Sequence, residues 1–106
     1  MQLPRPIHTY FTALSPQEGD TFVTAFTPDA VVHDEGHSHR GRQAIREWWL
    51  ASKAKYRHQA EPLDMAETAG KTVVRATVTG DFPGSPAVLT FTFGLSGDHI
   101  SDLEIG

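Results

Sequence analysis

The stretch Phe26–Trp49, FTPDAVVHDEGHSHRGRQAIREWW, decides how the rest of the chain is read. It predicts a helix end, a short strand, a histidine-rich loop and a new helix. Asp34 closes the strand Ala30–Asp34, whose period of two puts Val32 and Asp34 on one face, Val31 and His33 on the other. If Val32 points inward, so does Asp34, with Phe26 nearby in sequence and Trp48 and Trp49 on the following helix. A carboxylate set against apolar surface has a raised pKa and becomes a competent proton acceptor near neutral pH. The alternative is an exposed strand end hydrogen-bonding the turn at Gly36.

Working outward, Pro4 and Pro6 mark an extended lead-in. Ile7, Tyr10, Phe11 and Leu14 fall at i, i+3, i+4 and i+7, which predicts a helix over Ile7–Leu14 that Ser15-Pro16 stops. Helical spacing resumes from Glu18 to Phe26, with Asp20 a cap and Thr27-Pro28 closing the segment. Downstream, Glu35–Arg40 is polar and contains Gly36, so it reads as a loop. Gly41–Tyr56 is a helix with Ile45, Trp48, Trp49, Ser52 and Tyr56 on one stripe, and Arg42, Arg46, Glu47 and Lys53 facing water.

Beyond that helix the pattern turns to strands: His58–Thr68, then Thr72–Phe82, which alternates Val74, Ala76 and Val78 against Arg75, Thr77 and Thr79. Val88–Leu95 alternates again, opposing Leu89, Phe91, Phe93 and Leu95 to Val88, Thr90 and Thr92, and Ile100–Ile105 closes the set. Helices first and an antiparallel meander afterwards is the α+β pattern. Three helices over four or five strands need a strongly curved sheet, which leaves a cavity where small ligands bind.

With 106 residues the chain suits a single domain, 1–106. Its 39% hydrophobic and 21% charged residues place it among globular chains. A net charge of -4 argues against nucleic acid or an anionic membrane as partner. Six of the nine basic residues, Arg40, Arg42, Arg46, Lys53, Lys55 and Arg57, cluster in one helix and its approach, read as a wet face or an anion contact. No cysteine is present, so thiol catalysis, disulfides and thiolate metal sites are excluded. No segment has the length of a signal peptide's apolar run or a membrane span, and a cytoplasmic protein is expected.

Among the remaining residues, Tyr10 lies on the apolar face of the first helix, where its hydroxyl either satisfies a backbone carbonyl or donates into a cavity. Trp48 and Trp49 point about 100° apart, so one packs on the sheet while the other lines any cavity. His33, Glu35, His37 and His39 share strand parity and suit a cation, although Gly36 interrupts them and a solvated loop competes. Arg75, Asp81 and His99 read as surface groups.

Several runs together carry a family likeness: Tyr10-x-x-x-Leu14, FTPDAVVHD, HRGRQAIREWW, VVRATVTGDF, LTFTFGLSGDHI and SDLEI. From Ile7 to Ile105 the chain resembles the nuclear-transport-factor-2-like superfamily, and within it SnoaL-like proteins and ketosteroid isomerases. The resemblance implies a cone-shaped roll, three N-terminal helices packed in a highly curved mixed β-sheet with an internal pocket, and a homodimer through the outer face of the sheet. The scaffold hosts isomerases, cyclases, dehydratases, hydrolases and plain binding modules. Counted without a gap, the resemblance implies that Tyr10 is the oxyanion donor, Asp34 the proton shuttle and Trp49 the aromatic that backs the tyrosine or lines the pocket. The second donor of ketosteroid isomerases, a protonated aspartic acid, is replaced by Leu89, or by Thr90 if the register slips by one.

The combined expectation is proton abstraction next to the carbonyl of a small apolar or aromatic molecule, as in isomerisation or polyketide cyclisation. Asp34 and Tyr10 are the catalytic pair, and Phe22, Phe26, Val32, Trp48, Trp49, Leu89 and Phe91 form the walls. Base and donor suffice for enolate chemistry, so neither cofactor nor metal is expected. The rivals are a non-catalytic ligand-binding or dimerisation module of the same fold and a metal site at His33, His37 and His39.

Overall fold

Glu35 and Gly36 turn the chain back on itself with φ of 53° and 77°. That double positive φ is the geometry of a tight two-residue hairpin. The computed structural model describes every residue, Met1–Gly106. The hairpin joins β1 (Phe26–Asp34) to β2 (His37–Arg40), which pair from Val31↔Arg40 to Asp34↔His37. Residues 37–40, expected as loop, are therefore an edge strand. The polar run HSHR has no apolar alternation to announce it, and the turn chemistry alone sets its register.

β1 also begins earlier than expected. The second helix, α2 (Gly19–Thr24), ends before Phe26, and Phe26 pairs with Ile100 of the last strand. Thr27-Pro28 opens no gap between elements. It lies within β1, where the register shifts between Phe26 and Val31, and a proline without an N–H is tolerated at such an irregularity. Phe26, Ala30 and Val32 are fully buried on one face, and Asp34 continues that parity.

Ahead of these lies α1 (Arg5–Thr12), which buries Pro6, Ile7 and Phe11. Ser15 then caps a short 3₁₀ turn, Pro16–Glu18, and the Glu18 carboxylate accepts from the Ser15 backbone N–H at 3.1 Å. After β2, Gly41 at φ 88° leads into α3 (Arg42–Tyr56). Arg42 holds the start of α3 to β1 by donating to the Phe26 carbonyl from Nε at 3.0 Å and from Nη2 at 2.7 Å. Its buried stripe is Ile45, Trp49 and Lys53 at i, i+4 and i+8. Lys53, expected in water, is 7% exposed.

Four further strands follow: β3 (Gln59–Thr68), β4 (Lys71–Thr79), β5 (Ala87–Ser96) and β6 (His99–Ile105). The six form one mixed sheet in the order β2-β1-β6-β5-β4-β3, parallel only between β1 and β6. Register breaks at Pro62/Asp64 in β3 and Gly94/Leu95 in β5 supply the local bends of a curved sheet. This is the α+β cone of three helices against a curved sheet. The core joins Ile7, Phe22, Phe26, Ile45 and Trp49 to inward residues of the sheet, with Phe22 and Trp49 stacked at 4.3 Å and 12°. No helix is long and apolar enough to cross a membrane.

Candidate active site

Between α1, α3 and the inner face of the sheet lies a cavity of about 410 Å³. That falls in the usual range of small-molecule sites, roughly 300–1,000 Å³. Thirteen of its 19 lining residues are hydrophobic, so apolar burial dominates what it offers a ligand. The polar exceptions are the groups able to exchange protons or hydrogen bonds with a ligand.

Asp34 ends β1 on the face that Val32 directs inward, and it lines the cavity half-buried. Its Oδ2 accepts from the Trp48 indole N–H at 3.1 Å. Burial raises its pKa, while the Trp48 hydrogen bond works in the opposite direction by favouring the carboxylate; the Glu35 charge adds to the rise and His39 counters it. The net shift is upward. The Trp48 ring in turn stacks on the His39 imidazole, centroids 5.7 Å apart, so the indole is positioned from both sides.

Tyr10 sits in an aromatic cage. Its ring lies 5.0 Å from Phe11, 5.2 Å from Phe22, 5.5 Å from Phe93 and 5.9 Å from Phe91, mostly edge to face. It lines the cavity. Burial, and secondarily the charge of Asp34, push its pKa far up, so it remains a neutral donor. No fully buried side-chain oxygen lacks a partner, and the Tyr10 hydroxyl donates to no other protein group. The hydroxyl therefore opens on the cavity.

Trp48, Trp49, Leu89 and Phe91 line the cavity as well. Phe22, Phe26 and Val32 do not: each is fully buried in the core. Leu89 pairs with buried Ala76 and faces the cavity, whereas Thr90 pairs with Arg75 and is absent from its lining. At this point of β5 the side chain that reaches the cavity is therefore aliphatic.

Residues 7–100 match the profile of the SnoaL-like domain. The chain belongs to the SnoaL-like family. Among solved structures, this SnoaL-like domain is similar to a provisionally assigned polyketide cyclase from Sinorhizobium meliloti, with 44% identity, a TM-score of 0.91 and coverage of 98% of this chain and 95% of that one. It is similar in fold to a ketosteroid isomerase-like protein from Catenulispora acidiphila, at 16% identity, a TM-score of 0.84 and coverage of 99% and 86%. An LEH-like epoxide hydrolase from Mycobacterium tuberculosis shares the fold at 13% identity, a TM-score of 0.76 and coverage of 96% and 79%. Among curated proteins, none matches.

Among the cavity residues of the SnoaL-like domain that sequence reasoning does not place in the site are Lys53 and His58. The Lys53 ammonium donates to the His58 carbonyl at 2.6 Å. Burial and then the Lys53 charge depress the His58 pKa to about 4, so the imidazole is neutral at neutral pH. The spacing Ile45, Trp49, Lys53 carried the signal for the lysine; its charge argued the other way. The shared parity of His33, Glu35, His37 and His39 is broken by the hairpin: His33 pairs with Ser38, His39 with Val32 and His37 with Asp34. His33 Nδ1 lies 2.8 Å from Ser38 Oγ, and no three acidic or histidine side chains converge as metal ligands. Arg75 and Asp81 are engaged in exposed ion pairs with Asp64 and Arg57.

Proposed function

We propose that this SnoaL-like domain binds a small, largely apolar or aromatic carbonyl compound and abstracts a proton from the carbon next to the carbonyl. Asp34 takes the proton on a carboxylate oxygen. The C–H electron pair moves into the carbonyl, and the developing oxyanion accepts a hydrogen bond from Tyr10. Return of the proton at another carbon gives an isomer; attack of the carbanion on a second carbonyl forms the C–C bond of a ring, opens that C=O to an alkoxide, and the proton held by Asp34 passes to the alkoxide. The observation that carries this reading is the raised Asp34 carboxyl on the wall of an apolar cavity it shares with the free Tyr10 hydroxyl. The 44% identical relative, a provisionally assigned cyclase, supports the same reaction class.

Trp48, Trp49, Leu89 and Phe91 form the ligand walls, and Phe22, Phe26 and Val32 back them. One donor instead of two is a real limitation: a missing oxyanion donor typically costs about 2.7–4 kcal/mol. That favours substrates whose C–H is already acidic, such as 1,3-dicarbonyls, over simple ketones. A non-catalytic binding module is the second reading, and Leu89 is the observation that favours it. A second copy of the chain on the outer face of the sheet, where Val88 is 56% exposed, completes the proposal.

Exchange of the acidic protons of 2-tetralone into D₂O, followed by NMR, separates the two. Wild type is expected to accelerate exchange over buffer, Asp34→Asn to abolish the acceleration, and Tyr10→Phe to reduce it by about 100- to 1,000-fold. Acceleration undiminished in Asp34→Asn would remove Asp34 from the role of base. Binding of the ketone without any acceleration would leave the non-catalytic reading.

A further inference from the structure

The cavity holds a cation that the proton-transfer scheme does not use. Lys53 is 7% exposed, yet it lines the hollow and has no carboxylate within ion-pair distance. Its ammonium is held by one acceptor, the His58 carbonyl at 2.6 Å, and lies 5.5 Å from the centroid of the Trp49 ring. An ammonium has three donors, and one carbonyl satisfies one of them. Burial depresses the Lys53 pKa and the charge of Glu18 counters it, but the Glu18 carboxylate is engaged by the backbone N–H groups of Leu14 and Ser15 at 3.3 and 3.1 Å. The His58 imidazole beside it is neutral and supplies no counter-charge. A buried charge without a counter-ion is strongly unfavourable, and an anion that enters the site relieves it.

Resting on the reading of this cavity as the ligand site, we infer that Lys53 recognises an anionic group, a carboxylate in the first instance, on the bound molecule. The substrate class narrows to an acidic carbonyl compound with an apolar or aromatic body. α3 rises 1.5 Å per residue, so Lys53 stands about 7.5 Å along the axis from Trp48, the residue that holds Asp34. The anionic group and the acidic C–H therefore lie at separate places in the cavity, and the ligand's charge is kept apart from the Asp34 carboxylate. Trp49 flanks the lysine with a π face, which holds the ammonium without neutralising it. Lys53 is a binding residue in this arrangement, and the reaction step does not pass through it.

The test is calorimetric titration with a matched pair of probes, 2-naphthoate and 2-naphthamide, which share shape and differ in charge. Wild type is expected to bind the carboxylate at least about 10-fold more tightly, the effect of one well-placed opposite charge. Lys53→Met is expected to bring the two affinities within about 2-fold, chiefly by weakening the carboxylate, and Lys53→Arg to retain the preference. A purely structural lysine would change melting temperature on substitution and leave the ratio of affinities unmoved. Equal binding of the two probes by wild type, or a preference that survives in Lys53→Met, overturns the inference while leaving Asp34 and Tyr10 untouched. Binding of neither probe overturns the ligand cavity itself, and the inference with it. The wild-type comparison needs no variant, so a poorly folding Lys53→Met does not protect the idea.

Discussion

Trp48 is the residue on which the chemistry of Asp34 turns. Its indole N–H donates to the carboxylate at 3.1 Å and so stabilises the charged form, against burial that favours the neutral one. Trp48→Phe removes the donor and keeps much of the volume. Asp34 then rises further, and the rising limb of a kcat/KM-against-pH profile moves to higher pH. A limb that stays in place, or moves down, would show that the hydrogen bond does not tune the base. The same carboxyl has a consequence for stability. Because its folded-state pKa lies above the unfolded value, its favourable contribution is present below the unfolded pKa and is lost as pH rises through the folded one. At neutral pH the ionised Asp34 is a liability, so Asp34→Asn should raise the melting temperature at pH 7, with the gain shrinking as pH falls. Thermal melts across that range read it directly.

At the scale of elements, α3 does the most. Its inner stripe packs Ile45 and Trp49 into the core and carries Lys53 to the cavity, while Trp48, one position off the stripe, reaches Asp34 on β1. α2 meets α3 through the Phe22–Trp49 stack at 4.3 Å and an exposed Asp20–Arg46 ion pair at 3.0 Å. Phe22 is fully buried, so Phe22→Ala should cost about 3–5 kcal/mol in denaturant unfolding. A loss under 1 kcal/mol would mean that the helices collapse into the vacated space. The junction of α3 with β3 carries its own pH signature through His58. With a folded pKa of about 4 against 6.5 unfolded, its contribution is complete above pH 6.5 and is lost as pH falls toward 4. His58→Gln should therefore flatten the loss of stability between pH 6.5 and 4.5 by about 1–2 kcal/mol, a figure discounted for the partial exposure of the ring. Parallel acid curves for variant and wild type would contradict it.

For the whole molecule, the cavity lies between the helices and the curved sheet, beside a core of packed aromatics. The outer face of the sheet shows Val88 in the open, and a Lys71–Asp102 ion pair at 2.8 Å lies over Gly94, where any side chain would strike the Asp102 carboxylate. The proposed dimer places a second copy on this face. Sedimentation equilibrium is expected to give a dimer for wild type and a shift to monomer for Val88→Glu; a wild-type monomer at high micromolar concentration would remove the proposal.

Much of this was legible in residue spacing. The period of two in β1 put Asp34 on the face of Val32, the spacing of α1 put Tyr10 beside Phe11, and the alternation of β4 and β5 separated inner from outer faces, because each depends only on local backbone geometry. Period cannot say where the interior is filled and where it is hollow. Phe22, Phe26 and Val32 share the faces that point inward, but they are fully buried and become core instead of wall. Trp48 and Asp34 are 14 residues apart, and their hydrogen bond exists only because α3 lies across the end of β1. Lys53 obeyed the helical stripe against the preference of its charge, since packing of α3 against the core fixes which way every fourth residue points. Which residues share a face is a property of the local chain; what each of them meets there is decided by elements brought together from elsewhere in the sequence.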